Sequence, residues 1–317
     1  MNESVPPAPD LAVIVLVVGA SALAVDAVRS LLAQDPPVEV LVVNSGGGDM
    51  AGCLASHGLD VPVIERQERL FVGAARNIGI RATRAPYVAF LASDCLATKD
   101  WAANRLLMHN GGFAAVGSSL ANSHRRNPFA WASHLTVFPW RQPKLKRRGL
   151  PYGASYDRGL FAEFGYFRED LRIGEDSEFN GRLPDDKKPV WQPKVVTIHR
   201  NPTNPVALLR DSYARGRRAA EGRGEFTASG LPFGFHGWQR RTAIAFRMSR
   251  HVARRDRRYV RLALPVIPFA TAAYCIGAER GKRSARKRGP VPEAYTQHAA
   301  HRPKPASDPQ RQPGAAE

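Results

Sequence analysis

The sequence predicts an α/β protein: a mostly parallel sheet flanked by helices, extended at its C-terminal end by basic helices. Three observations carry that prediction. From Leu11 to about Phe90, short β-rich apolar runs alternate with helix-like periodicity, the pattern of strand–helix–strand units. The runs Val13–Val18, Val38–Val43 and Tyr87–Leu91 are nearly continuous in apolar residues, as strands covered on both faces must be. Beyond Arg210 the character changes, and the chain becomes crowded with arginine. With 317 residues, 44% of them hydrophobic, 14 Phe and 5 Trp, the chain can bury a sizeable core. A collagen-like repeat, a coiled coil and a chain disordered throughout are excluded.

The elements follow in order. Residues 1–10 read as a flexible, proline-containing leader. The apolar stretch Leu11–Val25 has the length of a signal-peptide core, but Glu3 and Asp10 precede it without any Lys or Arg, which favours a buried strand. A helix is expected over Ala22–Ala33, with Val25, Val28, Leu31 and Leu32 on one face. The next strand, Val38–Val43, ends in the polar, glycine-rich Asn44–Asp49. A helix at Met50–His57, a strand at Val61–Ile64 and a helix at Gly73–Ala82 come next, then Tyr87–Leu91 running into Ala92-Ser93-Asp94-Cys95. Parallel sheets bind ligands beyond the carboxyl ends of their strands, where Asn44–Asp49 and Ala92–Cys95 both fall.

The middle, about 113–150, is mixed, and Arg141–Arg148 reads as an exposed basic loop. Tyr152–Arg158, a turn-rich Phe164–Phe167 and the acidic Gly174-Glu175-Asp176-Ser177-Glu178 follow. A strand at Val195–Ile198 leads into His199, and Asn204 with Pro205 forms a helix start, cap then first turn. This divides the chain into a catalytic-type domain at 11–220, a basic helical extension at 221–288 with an apolar segment at 262–278, and a tail at 289–317 expected to be disordered.

Taken one at a time, the polar residues leave alternatives open. Gly46–Gly48 after a strand is a phosphate cradle or only a tight turn, and no P-loop lysine follows. Asp94 can hold a hard divalent cation or cap a helix beginning near Leu96. Glu175, Asp176 and Glu178 can supply a general base or merely favour a helix dipole. His199 is a metal ligand or a satisfied structural histidine. Cys53, Cys95 and Cys275 are too scattered for a disulfide framework or a cysteine-based zinc site, and they point to a reducing compartment.

Together, these segments resemble the family 2 glycosyltransferases, which have a GT-A fold. The resemblance runs from about Val13 to Gly216. Ser30–Gln34 followed by Val38–Val43 resembles the family's first helix and second strand. Arg76-Asn77-Ile78-Gly79-Ile80-Arg81-Ala82 before Tyr87–Leu91 resembles the segment preceding its metal-binding Asp-x-Asp. Gly165–Leu171 running into Gly174–Phe179 resembles its acceptor-side turn and Glu-Asp motif. The resemblance implies an inverting transfer from a nucleotide-diphosphate sugar, with Asp176 as general base beside Glu175. Asp94 and His199 would hold a divalent metal, Mg²⁺ or Mn²⁺. Asn44, Ser45, Arg76, Asn77 and Ser93 would line the donor pocket, and Gly153 and Ala154 would let backbone approach the donor sugar.

Two departures stand out. The first acid of the metal motif is absent, since the segment reads Ala92-Ser93-Asp94, and Asn44-Ser45 replaces the usual acid of the nucleotide-base loop. Asn44 still offers both a donor and an acceptor to a pyrimidine edge. An active enzyme with altered donor contacts is therefore expected; the alternative is an impaired relative that binds nucleotide sugar or anionic lipid.

The excess of 46 Lys+Arg over 28 Asp+Glu gives +18 and a pI near 10.5, which calls for a polyanionic partner. The uncharged run Leu262–Ala278 sits at the lower limit for a membrane span, about 17 residues, and contains Pro265 and Pro268. Arginine clusters on both sides suit a segment lying in an anionic membrane face; a buried helix and a short span are the alternatives. Nucleic acid is the weaker partner, because no aromatic-and-basic RNA-binding motif is visible. The expectation is a peripheral or monotopic enzyme on the inner face of the cytoplasmic membrane, acting on a glycan or lipid-linked acceptor in cell-envelope synthesis.

Overall fold

The computed structural model describes residues 8–145, 152–221 and 234–288. The first seven leader residues, the far part of the basic loop and the tail 289–317 lie outside the described residues. An eight-stranded mixed sheet has the order β3-β2-β1-β4-β7-β6-β8-β5. Its first half is the expected repeat: β1 (Leu11–Val18), α1 (Leu23–Leu32), β2 (Glu39–Ser45), α2 (Met50–Ala55), β3 (Val63–Arg66), α3 (Val72–Ala82) and β4 (Tyr87–Ala92). These four strands run parallel. The strand reading of Leu11–Val18 thus prevails over the signal peptide.

Strand alternation divides the interior in two. Leu11, Val13, Val15 and Val17 point to one face, against Val25, Val28 and Leu31 of α1, Met50 and Leu54 of α2 and Trp101 of α4 (Trp101–Asn110). Ile14, with Leu41, Val43 and Phe90, faces the other, against Ile80 of α3, Phe161 of α6 (Gly159–Phe164) and Phe179 of α7 (Glu175–Arg182). Each such side chain contributes roughly 1.5–3 kcal/mol by leaving water. That is why β1, central and fully covered, reads so clearly in the sequence.

The second half departs from a simple repeat. β5 (Cys95–Ala97) pairs antiparallel with β8 (Val190–His199), and β7 (Tyr152–Asp157) runs antiparallel between β4 and β6 (Ala115–Asn122). No helix begins near Leu96. Leu96 pairs with Ile198 in an edge ladder, and the next helix waits until Trp101, so the helix-cap alternative for Asp94 falls away. β8 is also longer than the expected Val195–Ile198. Its register against β6 jumps from Ser118↔Gln192 to Ser119↔Val196, so a bulge takes up Pro193, Lys194 and Val195 and the strand continues past the proline.

The remaining helices are α5 (Pro128–Val137), α8 (Pro205–Glu221), α9 (Gly234–Ser249), α10 (Arg257–Ala263) and α11 (Ile267–Arg288). Asn204 caps α8 as expected, its Oδ1 accepting from the Ala207 amide at 2.8 Å. α8 and the helices after residue 221 share one core with α5: Trp131, Ala132 and Leu135 pack with Leu208, Ala245, Met248, Val260, Ile267 and Ala270. α8 and α11 touch backbone to backbone. A Cβ on Gly216 would lie 1.9 Å from the Tyr274 carbonyl oxygen, and one on Gly277 would lie 2.1 Å from that of Tyr213. Only glycine permits this approach, and it clamps α8 in place.

Candidate active site

Three ligating side chains meet where β4 ends. Ser93 and Asp94 form the turn out of β4, and the Arg200 amide donates to the Asp94 carbonyl at 2.9 Å, tying that turn to the end of β8. Cys95 and His199 are direct cross-strand partners, so their side chains share one face beside Asp94. His199 Nε2 lies 3.5 Å from Asp94 Oδ2, and Cys95 Sγ lies 3.5 Å from Asp94 Oδ1. All three ligating atoms fall within 4.8 Å of one another.

The histidine is prepared for ligation. Its Nδ1 is 3.1 Å from Asn201 Oδ1, an oxygen that can only accept, so Nδ1 carries the proton and the Nε2 lone pair faces Asp94. Asn201 is itself held, its Nδ2 donating to Asn122 Oδ1 at 3.1 Å. Burial pushes the His199 pKa down, with nearby Arg215 acting in the same sense and Asp94 opposing, so the ring favours its neutral form. Carboxylate, neutral imidazole and thiol make a donor set that fits a borderline divalent cation. The sequence reading set Cys95 aside as one of three scattered thiols. Only the β5–β8 register brings it to this site.

Two arginines that were not anticipated border the cluster. Arg215 of α8 bonds Asp211 Oδ2 at 2.7 Å and lies 5.8 Å from the centroid of the Phe138 ring, and its charge reaches Asp94. Asp211 was the available signal, being the one acid between Arg210 and Arg218 and sitting four residues before Arg215. Arg141 corrects the exposed-loop expectation. Its carbonyl accepts from the Leu120 amide, which pins this end of the loop to β6, and its guanidinium lies 5.1 Å from the Tyr152 ring centroid. Burial lowers the Arg141 pKa, opposed by Tyr152 and by Asp176. Arg141 therefore stands within electrostatic reach of the acidic motif while packing on Tyr152, whose hydroxyl is 3.9 Å from Cys95 Sγ.

The acidic motif opens α7 after Gly174, which adopts φ +86°. Glu175 and Asp176 have different surroundings. Glu175 is buried and pairs with Arg76 at 3.1 Å; the Arg76 guanidinium in turn lies 4.8 Å from the Phe90 and 5.0 Å from the Phe167 ring centroids. Burial raises the Glu175 pKa, Arg76 opposes and Asp176 adds to the rise. Arg76 thus serves as the counterion of Glu175. Asp176 is half-buried, its Oδ1 accepting from the Ser177 amide at 2.7 Å.

On the donor side, the polar groups turn inward. Asn44 is fully buried; its Oδ1 accepts from the Ala20 amide at 3.2 Å, and its Nδ2 donates to the Gly47 carbonyl at 3.0 Å and to Glu65 Oε2 at 2.6 Å. An amide denied water must satisfy both ends locally, and Asn44 does so by bracing the glycine loop. Asn77 is likewise buried: its Nδ2 donates to the Phe167 carbonyl and to Glu169 Oε1, both at 2.8 Å, and its Oδ1 accepts from the Phe167 amide at 3.1 Å. It ties α3 to the turn before α7. Ser45 is buried at the end of β2, and Ala154 lies in the core beside Phe161. The Gly153 carbonyl accepts from buried Arg105 at 2.6 Å. Of the expected donor residues, Ser93 is the one that directly adjoins the Asp94–Cys95–His199 cluster.

Residues 12–171 match a family described as Glycosyl transferase family 2. No curated protein matches the chain. Among solved structures, a mannosyltransferase (PcManGT) from Pyrobaculum calidifontis, in complex with GDP-Man and Mn²⁺, is 18% identical with a TM-score of 0.48, over 93% of this chain and 80% of the other. S. aureus TarS 1–349, in complex with UDP-GlcNAc, is 14% identical with a TM-score of 0.48, over 88% and 92%. Likenesses this distant decide nothing about the chemistry here. The family match covers just over half of the chain, from β1 to the turn before α7, and the chain belongs to glycosyl transferase family 2.

Proposed function

We propose that this glycosyltransferase transfers a sugar, with inversion, from a nucleotide-diphosphate sugar to a glycan or lipid-linked acceptor. The observation that supports it best is one continuous line of groups: Asp94, Cys95 and His199 at one end, Tyr152 and Arg141 between, and Asp176 at the other. Asp176 accepts the proton of the acceptor hydroxyl as that oxygen attacks the anomeric carbon. The bond from that carbon to the diphosphate breaks on the opposite side, and negative charge gathers on the departing oxygens. Arg215, held by Asp211, and Arg141, packed on Tyr152, present fixed cations there. Asp94 and His199 would hold a divalent metal, Mg²⁺ or Mn²⁺, which when bound supplies Lewis-acid stabilisation of the leaving diphosphate. Glu175, locked to Arg76, positions the start of α7 and so aims Asp176.

The C-terminal helices support a peripheral seat on the inner face of an anionic cytoplasmic membrane, and with it a role in cell-envelope glycan synthesis. Arg254–Ser284 is a helical stretch long and apolar enough to cross a membrane by length and composition, with 39% of its most apolar window buried. Ile267, Ala270, Thr271, Cys275 and Ala278 face the protein, whereas Leu262, Phe269 and Ile276 are exposed at seven-residue intervals. One face therefore packs on the enzyme and the other is left to an interface.

The test is nucleoside-diphosphate release from a panel of UDP-, GDP- and dTDP-sugars with Mg²⁺ or Mn²⁺, with lipid extracts added as acceptors. Release from one donor, reduced by about 10²–10⁴-fold in Asp176→Asn and Asp94→Ala, is expected. Metal-dependent binding with no turnover under any acceptor would favour the impaired relative that Ala92 and the inward-turned Asn44 bring to mind. Failure to bind any donor would sink the reading.

A further inference from the structure

We infer that Cys95 is the third protein ligand of the metal site, making it a carboxylate–thiolate–imidazole centre that selects thiophilic divalent cations such as Zn²⁺ and Co²⁺ over Mg²⁺. The inference rests on the reading of Asp94 and His199 as metal ligands given above, and it replaces Mg²⁺ as the preferred ion of that site. Four observations carry it. The β5–β8 register pairs Cys95 directly with His199, so the thiol and the imidazole emerge on one face whatever rotamers they adopt. The Sγ atom, although fully buried, has polar neighbours: Asp94 Oδ1 at 3.5 Å and the Tyr152 hydroxyl at 3.9 Å. The three ligating atoms lie within 4.8 Å. Ligands of a tetrahedral centre with bonds near 2.0–2.3 Å stand roughly 3.3–3.6 Å apart, so the widest pair needs to close by only about an ångström.

The fourth observation is the missing acid. Ala92 offers no ligand where the motif would otherwise have its first aspartate, leaving Asp94 as the only anionic donor of that turn. A thiolate at Cys95 supplies a second negative donor from the next residue along. As the Sγ–metal bond forms, the thiol proton is released to solvent, and the Tyr152 hydroxyl can donate to the bound sulfur. Sulfur binds Zn²⁺ and Co²⁺ far better than it binds Mg²⁺, which prefers oxygen and an octahedral shell. Asp94, with 37% of its side chain exposed, leaves the cleft side of the site open for a diphosphate oxygen.

Cobalt titration of the full-length, metal-stripped protein tests this without reference to turnover. The expected result is a thiolate-to-cobalt charge-transfer band in the near ultraviolet, abolished by Zn²⁺ at equal concentration and unmoved by excess Mg²⁺. Cys95→Ser should lose the band, while Cys53→Ser and Cys275→Ser keep it. X-ray absorption on the native zinc-loaded protein, which needs no variant to fold, should show one sulfur neighbour at about 2.3 Å. Cobalt bound without the band, a band that survives Cys95→Ser, displacement by Mg²⁺ as readily as by Zn²⁺, or no cobalt binding at all would each overturn the assignment. A failure of the transfer reading looks different: the band and the sulfur neighbour appear, but no donor is turned over.

Discussion

The two halves of the sheet treat their polar side chains in opposite ways. In the parallel half, β1 to β4, Asn44, Asn77 and Glu65 spend their hydrogen bonds on the scaffold; Glu65 Oε1 accepts from the Met50 amide at 2.7 Å while its other oxygen takes Asn44. In the mixed half, side chains from the β4–β5 turn, β5, β7 and β8 gather beside Arg215 of α8, with Asp94, Cys95 and His199 brought within 4.8 Å of one another. The lesson is that a polar residue at the carboxyl end of a parallel strand can have its hydrogen bonds taken up by the scaffold. Where the loop is short and glycine-rich, its first duty is to the loop.

The ion pair Arg76–Glu175 stitches the halves together, and breaking it should have the largest effect on stability. Arg76→Ala leaves a buried carboxylate without its cation and should cost about 3–5 kcal/mol, read as a lower urea midpoint. Adding Glu175→Gln should recover most of the loss, because a neutral amide needs no counterion. No recovery in the double variant would mean that Arg76 acts through its packing on Phe90 and Phe167.

Acid should loosen the mixed half, and the parallel half much less, through the buried neutral histidines of α4 and α5. Burial lowers His109 to about 4 and His134 to about 3, each from 6.5; Arg105 adds to the first and His199 to the second. Below the unfolded value the unfolded chain binds more protons, so stability falls as pH drops from about 6.5 toward 4 and then 3. By about pH 4.5 the loss is on the order of 3 kcal/mol for each residue. Urea midpoints equal at about pH 7 and about pH 4.5 would contradict it.

The smallest effect sharpens the comparison most. Asn44→Ala should destabilise the protein by about 1–3 kcal/mol, since Glu65 and the Ala20 amide lose a buried partner. Preference among UDP, GDP and dTDP donors should stay unchanged. A switch of donor in that variant would return Asn44 to the nucleotide pocket.

The first half of the fold was legible because its strands are covered on both faces and its helices are amphipathic, so local pattern and final structure agree. Boundaries differ by a residue or two, as for β3 at Val63–Arg66 against the expected Val61–Ile64. β5 was illegible: three residues at a sheet edge carry too little pattern, and the acid before them mimics a helix cap. β8 was read short because Pro193 and Lys194 interrupt its apolar run, and only the facing bulge shows that the strand continues.

What the sequence by itself determined is the parallel half, the arginine-rich extension and the positions of Asp94, Asp176 and His199, because each lies at a break between local patterns. Only the tertiary structure decided that Cys95 stands opposite His199, that Arg141 turns inward, that the charge of Arg215 reaches Asp94 and that Arg76 belongs to Glu175. Those relations depend on strand register and helix packing between segments far apart in the sequence. No local periodicity encodes such pairings; the burial and hydrogen-bond satisfaction of the whole chain select them.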